Sequence, residues 1–304
     1  MGLKREELWK LRLRDARTGI VESLQERTYS VHALEKLLFE KRIDWRLPGT
    51  LHTEFFLDYL VRTKLLVRTF FSLRDQNTHS SYQNELTLYV TPDVTPMETA
   101  LAMRSGSYLS HLSAACVHGL TDIVPRVVYT NKEQAPKQQD GRTRSLTQDA
   151  IDSAFAKPSR VTAQIYTNEE YELVLISGQD TGKIDVVDIS ASDGRKYPTT
   201  SLERTLIDCT VRPLYAGGIH EVMNMYASAR ERLSIRRLRK LLDDLKFVYP
   251  YRQAIGFLLE RTGYPAERLN LFEQPQLEFD FYLDYALSKR AYSTRWRLYY
   301  PEGM

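Results

Sequence analysis

Cysteine is almost missing from this chain: Cys116 and Cys209 are its two thiols in 304 residues. Two isolated cysteines in apolar, helix-like contexts build no disulfide framework, so a reducing cytoplasm is the expected compartment. No run approaches the eighteen apolar residues of a membrane span. The opening stretch, Met1 to Arg14, alternates charge with leucine and lacks the apolar core of a signal peptide, so an untargeted, membrane-free protein is expected. An excess of one charge sign is also lacking. Lys and Arg total 42 against 39 Asp and Glu, a net +3, which excludes a general cationic coat for nucleic acid. What remains is an ordinary globular composition, 42% apolar and 11% aromatic, with nineteen tyrosines against three tryptophans. That aromatic mix suits buried surfaces edged by hydroxyls, or polar contact surfaces.

Catalytic motifs are equally scarce. A nucleotidyltransferase holds triphosphate with Gly-Ser and divalent metal with two aspartates one residue apart. Gly106-Ser107 supplies the first half, but no Asp-x-Asp occurs anywhere, and Ser107 reads as a helix cap. A metal-dependent nuclease needs an aspartate followed by carboxylate-x-Lys on the next strand. Pro92-Asp93 could begin that pattern, yet Lys183-Ile184-Asp185 has the reverse order. His111, Cys116 and His118 have no nearby fourth ligand, and on a helix Cys116 is rotated off the face the histidines share. Neither cysteine has a flanking base to activate it, and glycine-rich phosphate loops are absent. No enzyme activity, metal or cofactor is expected.

Resolved by position, the weak total charge is a cancellation. Residues 1–92 sum to +3, residues 93–230 to -3 and residues 231–304 to +3. The first block reads as three helices and a hairpin. Leu13, Ala16, Ile20 and Leu24 share a helical face. Ser30 caps a helix with Val31, Leu34 and Leu38. After Pro48-Gly49, Thr50 can cap a third helix carrying Leu51, Phe55, Phe56, Tyr59 and Leu60. Two β-rich runs, Leu65 to Leu73 and Glu85 to Thr91, complete the element order of a winged helix-turn-helix. Pro92 and Pro96 mark a boundary, and a mixed α/β core over 93–230 follows. It contains a helix from Ser107 to His118 and strand-like runs at Arg160–Tyr166, Leu173–Ser177 and Ile184–Ile189. Thr200-Ser201-Leu202-Glu203 reads as a capping box. The remaining 231–304 form a helical tail ending in a β-hairpin packed on the core. Its strands, if antiparallel, set Glu278, Asp280 and Asp284 against Arg295 and Arg297. The expected fold class is therefore α+β, a winged helix followed by a mixed α/β domain with a helical C-terminal part.

Nucleic-acid binding has the best support among these residues. Lys4, Arg5, Lys10, Arg12, Arg14 and Arg17 crowd the first helix, which suits phosphate contacts. The tip of a winged helix's third helix enters the major groove, nominating Thr50, His52 and Thr53 as base-facing, with Arg62 further along as a cation. Arg74, Gln76, Asn77 and His79 could reach the backbone or minor groove from the wing. Glu54 and Asp58 oppose insertion beyond the tip, unless Glu54 accepts from a cytosine amino group. A winged helix serving only as a protein-contact module remains the alternative. Arg230, Arg232, Arg236, Arg237, Arg239 and Lys240 form a second cluster, readable as a solvated helix face. Asp243 and Asp244 pair with Arg239 and Lys240 there, which leaves Arg232 and Arg236 for phosphate.

Three segments carry a family resemblance. Tyr108-Leu109-Ser110-His111-Leu112-Ser113, His118-Gly119-Leu120-Thr121-Asp122 and Val128-Tyr129 resemble the central motif of AbiEi-type antitoxins. Leu202-Glu203-Arg204-Thr205-Leu206-Ile207-Asp208-Cys209, with Arg212-Pro213 and Ala216-Gly217-Gly218, resembles that family's second signature. Tyr251 to Arg261 and Arg295-Trp296 extend the similarity, which covers residues 93–304, while residues 1–92 match in element order. The resemblance implies an antitoxin of a type IV toxin–antitoxin (abortive infection, antiviral defence) system. Such a protein represses transcription of its own operon by binding inverted repeats in double-stranded operator DNA. It also neutralises a nucleotidyltransferase toxin of the AbiEii kind without a stable complex. The alternatives are a regulator or adaptor of a phage-defence locus and, more remotely, a nuclease-fold enzyme using Asp93 or Asp185.

Overall fold

The computed structural model describes residues 4–75, 82–123, 126–136 and 145–304. The chain is an α+β protein whose contacts divide it into two compact units. None of its described helices is long and apolar enough to cross a membrane.

The first unit comprises Met1–Ser105 and the returning stretch Ala163–Glu172. Helices span Arg5–Asp15, Arg17–Ser23, Val31–Lys41, Thr53–Arg62 and Pro96–Ala102. The single face expected from Leu13 to Leu24 is broken at Ala16, which caps the end of one helix and the start of the next, yet Leu13, Ala16 and Ile20 stay buried. Ser30 accepts the Ala33 N–H at 3.1 Å, so the cap read from sequence is present. Thr50 does not cap the third helix. His52 occupies that position without a side-chain bond, and the helix begins at Thr53. The intervening turn is held instead by Arg42, whose guanidinium donates to the carbonyls of Pro48, Gly49 and Leu51 at 2.9, 2.8 and 3.1 Å. The Pro48 carbonyl also accepts the Leu51 N–H at 3.0 Å, so backbone and side chain close the turn together. Strands Val67–Leu73 and Glu85–Val90 form the expected hairpin, with Thr28–Ser30 antiparallel on its outer side and Ile165–Thr167 meeting Ser72 and Leu73. Trp9, Leu13, Leu34, Trp45, Phe56 and Leu60 fill the core beneath.

The second unit comprises Gly106–Thr162 and Leu173–Met304. Its strands run in the spatial order Glu172–Gly178, Val127–Glu133, Tyr108–Leu109, Lys196–Thr200, Val186–Ser190. The helix expected from Ser107 begins only at His111, because Tyr108–Leu109 pairs as a strand and Gly106 and His111 both turn the backbone to positive φ. The helices Leu202–Val211, Ile219–Ser228, Ile235–Asp244 and Tyr251–Arg261 share one apolar core, with Trp296 among its largest fully buried side chains. Gly256 permits this packing, since a Cβ there would lie 2.1 Å from the Trp296 ring.

The reading of Thr200 and Glu203 as a reciprocal capping box shifts by one residue. Ser201 caps Leu202–Val211 by accepting the Arg204 N–H at 3.3 Å. Glu203, 4% exposed, accepts the Ser234 N–H at 3.2 Å and faces Arg237 at 3.6 Å. The closing sheet also departs from expectation: Phe281–Tyr282 lies parallel to Leu298–Tyr299, and Arg290–Ser293 is the antiparallel neighbour. Asp280 still meets Arg297 at 2.9 Å, but Arg295 turns to Glu260 and Glu273. Partner choice here follows three-dimensional proximity, which strand alternation does not specify.

Candidate nucleic-acid interface

The residues nominated for base contact lie together at one helix tip. Thr50 and His52 are exposed and Thr53 half-buried, just beyond the turn that Arg42 holds. The Trp9 ring stands edge-on to His52, with centroids 5.4 Å apart, and to Phe55 at 5.1 Å. Arg5 covers the same indole at 5.1 Å. Arg12 follows three residues after Trp9, so Arg5, Trp9 and Arg12 share a helical face. The Arg5–Asp15 helix thus sets cations beside the tip. Arg12, Arg14 and Arg17 are all exposed.

Other nominated cations are committed to carboxylates. Arg62 pairs with Asp58 at 2.7 Å, one turn back on its helix. Arg74 pairs with Glu172. His79, with Gln76 and Asn77, lies outside the described residues. Beyond the tip, the helix and hairpin enclose a groove of about 700 Å³ lined by Trp9, His52, Glu54, Asp58, Arg68 and Phe70. Glu54 and Asp58 sit one turn apart on its wall, two carboxylates of the sign that repels phosphate.

The basic run of the second unit is largely consumed internally. Arg239 and Lys240 pair with Asp243 and Asp244, the expected one-turn spacing. Arg237 meets Asp185 at 2.9 Å, and Arg232 donates to the His118 carbonyl at 2.9 Å. Arg236 stays exposed on the helix Ile235–Asp244, beside Arg268 and Glu267. Ser234 caps that helix through the Arg237 N–H at 3.4 Å.

Polar residues of the segments Tyr108–Asp122 and Leu202–Cys209 are largely buried. Arg204 donates to Asp208 at 2.9 Å and to the Ile184 carbonyl at 3.1 Å. Burial raises the Asp208 carboxyl above the usual carboxylate range, against the opposing pull of Arg204. Glu133 accepts the N–H groups of Thr181 and Lys183, both at 2.9 Å, and the Tyr108 hydroxyl at 3.0 Å. Burial opposes its ionisation, but those donors outweigh it and lower its pKa. Burial, reinforced by Arg204 and Arg212, pushes His111 down to about 3, leaving a neutral imidazole against Tyr215. His118 donates to the Thr200 carbonyl at 2.8 Å, and burial pushes the Cys116 thiol up to about 11. Among the described residues no three His, Cys, Asp or Glu side chains gather as they would for a metal ion. Asp93 is held by Arg27 at 2.6 Å, and Asp185 takes Ser201 and Arg237.

No family model matches the chain, and no curated protein does. The fold has precedent. Three solved chains match, among them the crystal structure of the RV2827C protein from Mycobacterium tuberculosis. That likeness has a TM-score of 0.57 at 15% identity and covers 95% of this chain and 91% of the other. At that identity it establishes shared architecture.

Two features of this surface escape sequence reading. Arg42 precedes Pro48-Gly49 closely enough to suggest a turn staple, and that spacing is the signal available. The Trp9–His52 contact has none, because it joins distant segments.

Proposed function

We propose that the chain is a DNA-binding repressor of its own operon and an antitoxin, built on an N-terminal winged helix-turn-helix. The observation that carries the DNA reading is the Thr50-His52-Thr53 tip, exposed at Thr50 and His52, fixed by Arg42 on one side and by Trp9 of a cation-bearing helix on the other. A rigid tip with uncapped N–H groups suits a major groove, and flanking arginines suit the phosphates on either side. Arg12, Arg14 and Arg17 contribute affinity, while His52 and Thr53 contribute sequence preference. Arg236 adds a cation from the second unit.

The antitoxin reading rests on the resemblance of the buried signatures to AbiEi-type proteins. In that reading Arg204, Asp208 and His111 maintain the second unit's fold, and a surface of that unit counters a nucleotidyltransferase toxin. A fluorescence-anisotropy titration of the intact protein on its own promoter tests the first part. Binding that ignores sequence, or that His52→Ala and Thr53→Ala leave unchanged, refutes it. Co-expression with the adjacent reading frame tests the second, through rescue of growth with and without residues 1–92.

A further inference from the structure

The hairpin strand Val67–Leu73 is paired on its outer side only at its C-terminal end. The Leu73 N–H donates to the Asn84 carbonyl on the hairpin side, and the Arg74 N–H donates to the Ile165 carbonyl on the other, both at 2.8 Å. Backbone groups alternate in direction along a strand, so Arg68, Phe70 and Ser72 point the same way as Arg74. Ser72 is met by Thr167, where the Ile165–Thr167 strand ends. Arg68 and Phe70 lie beyond it, and among the described residues no strand pairs with them. Their N–H and C=O groups form a ladder template of the kind that accepts an added strand.

The space beside this edge is shaped to receive one. A groove of about 850 Å³ runs along Val67–Phe70, walled by Val94, Pro96 and the turn Asn168–Tyr171. Phe70 is 62% exposed on one face of the strand and Val67 45% exposed on the other, apolar groups on an edge that proteins ordinarily blunt with charge or proline. Glu169 and Glu170, both exposed, stand on the opposite wall.

We propose that this edge binds an extended segment of a partner protein, about five residues long, in which basic and apolar side chains alternate. The backbone of Arg68 and Phe70 extends the sheet antiparallel onto that segment. Its apolar residues, all on one face of the added strand, cover Phe70, and its cations face Glu169 and Glu170. This inference does not rest on the DNA reading, since it uses the backbone of the hairpin edge, although Arg68 and Phe70 also line the groove beside the helix tip.

The test uses the full chain and the pentapeptide acetyl-Lys-Val-Lys-Val-Lys-amide in calorimetric titration, with hydrogen exchange at the Arg68 and Phe70 amides. Saturable binding below about 1 mM is expected, with exchange slowed at those two amides. Methylating alternate peptide nitrogens in one phase abolishes binding and in the other spares it, because only one set faces the edge. Arg68→Pro removes an outward donor and no hairpin bond, and weakens binding at least about tenfold more than Arg68→Ala, a difference of about 1.4 kcal/mol. Glu169→Lys with Glu170→Lys also weakens it. No binding, equal affinity for both methylated phases or for Glu-Val-Glu-Val-Glu, or sedimentation showing the edge paired with a second copy overturns the proposal.

Discussion

Trp9 and His52 meet edge-to-face, ring centroids 5.4 Å apart and planes at 83°. This contact joins the cationic first helix to the start of the Thr53–Arg62 helix. Trp9 is 6% exposed and also packs on Phe55, so it serves both the core and the tip. Trp9→Ala is expected to lower stability by about 3–5 kcal/mol, as large-to-small core substitutions do. Trp9→Phe, which keeps an aromatic edge, is expected to recover most of that loss. Urea denaturation of the two variants decides it, and equal stabilities would refute the packing role.

Arg42 is a turn staple, and its removal has a separable consequence. Arg42→Ala removes the guanidinium donor from the carbonyls of Pro48, Gly49 and Leu51, of which Pro48 keeps the Leu51 N–H. A loss of about 1–3 kcal/mol is expected for charged hydrogen bonds that go unmade. On the proposed function, discrimination between operator and random DNA falls with it while the salt slope stays unchanged. Lys at this position, a single-point cation, restores only part.

The salt slope itself reports the exposed arginines. For contact with six to ten phosphates, affinity drops about 10³- to 10⁵-fold between 50 and 200 mM salt. Each of Arg12→Ala, Arg14→Ala and Arg17→Ala is expected to reduce the slope by about one, whereas Arg74→Ala, whose guanidinium is held by Glu172, is expected to leave it unaltered. Anisotropy across a salt series separates the two groups.

Gly256 marks the tightest approach in the second unit. Gly256→Ala sets a methyl 2.1 Å from the Trp296 ring, and is expected to cost about 1–3 kcal/mol or more through overpacking. Thermal unfolding checks it, and pairing with Trp296→Leu is expected to relieve part of the cost.

His111 supplies a pH signature. Its folded pKa is depressed to about 3, so between about 6.5 and 3 the unfolded chain binds a proton that the folded chain does not. Stability therefore falls as pH drops through that window, with a slope of up to about 1.4 kcal/mol per pH unit from this group. Glu133 acts below its own unfolded value: its lowered pKa gives stability present above that value and lost as pH falls through the folded one. His111→Asn preserves the positive-φ backbone, which asparagine tolerates, and removes the titration. Its stability curve is expected to be flatter between pH 6 and 4. An unchanged slope would contradict the burial argument.

Contacts within one helical turn were legible in the sequence. Ser30 caps where its position before an apolar run places it, and Arg239–Asp243 and Lys240–Asp244 pair at one-turn spacing. The hairpin from Val67 to Val90 follows from its β-rich runs. The exposure of the candidate tip was legible for the same reason, since turn residues before a helix face solvent.

Longer-range choices were not. Arg74 was expected to be a phosphate contact but lies on Glu172, and Arg232 was expected to be free but donates to His118. Thr200 yields its cap to Ser201 because the strand Lys196–Thr200 claims it. The sequence alone determined periodicity, caps and the balance of charge, because those depend on neighbours within about four residues. The tertiary structure decided which cations remain available, which edge stays open and which polar motifs are buried. Coulomb attraction and desolvation depend on distance in space, and the fold sets that distance between residues far apart in the chain.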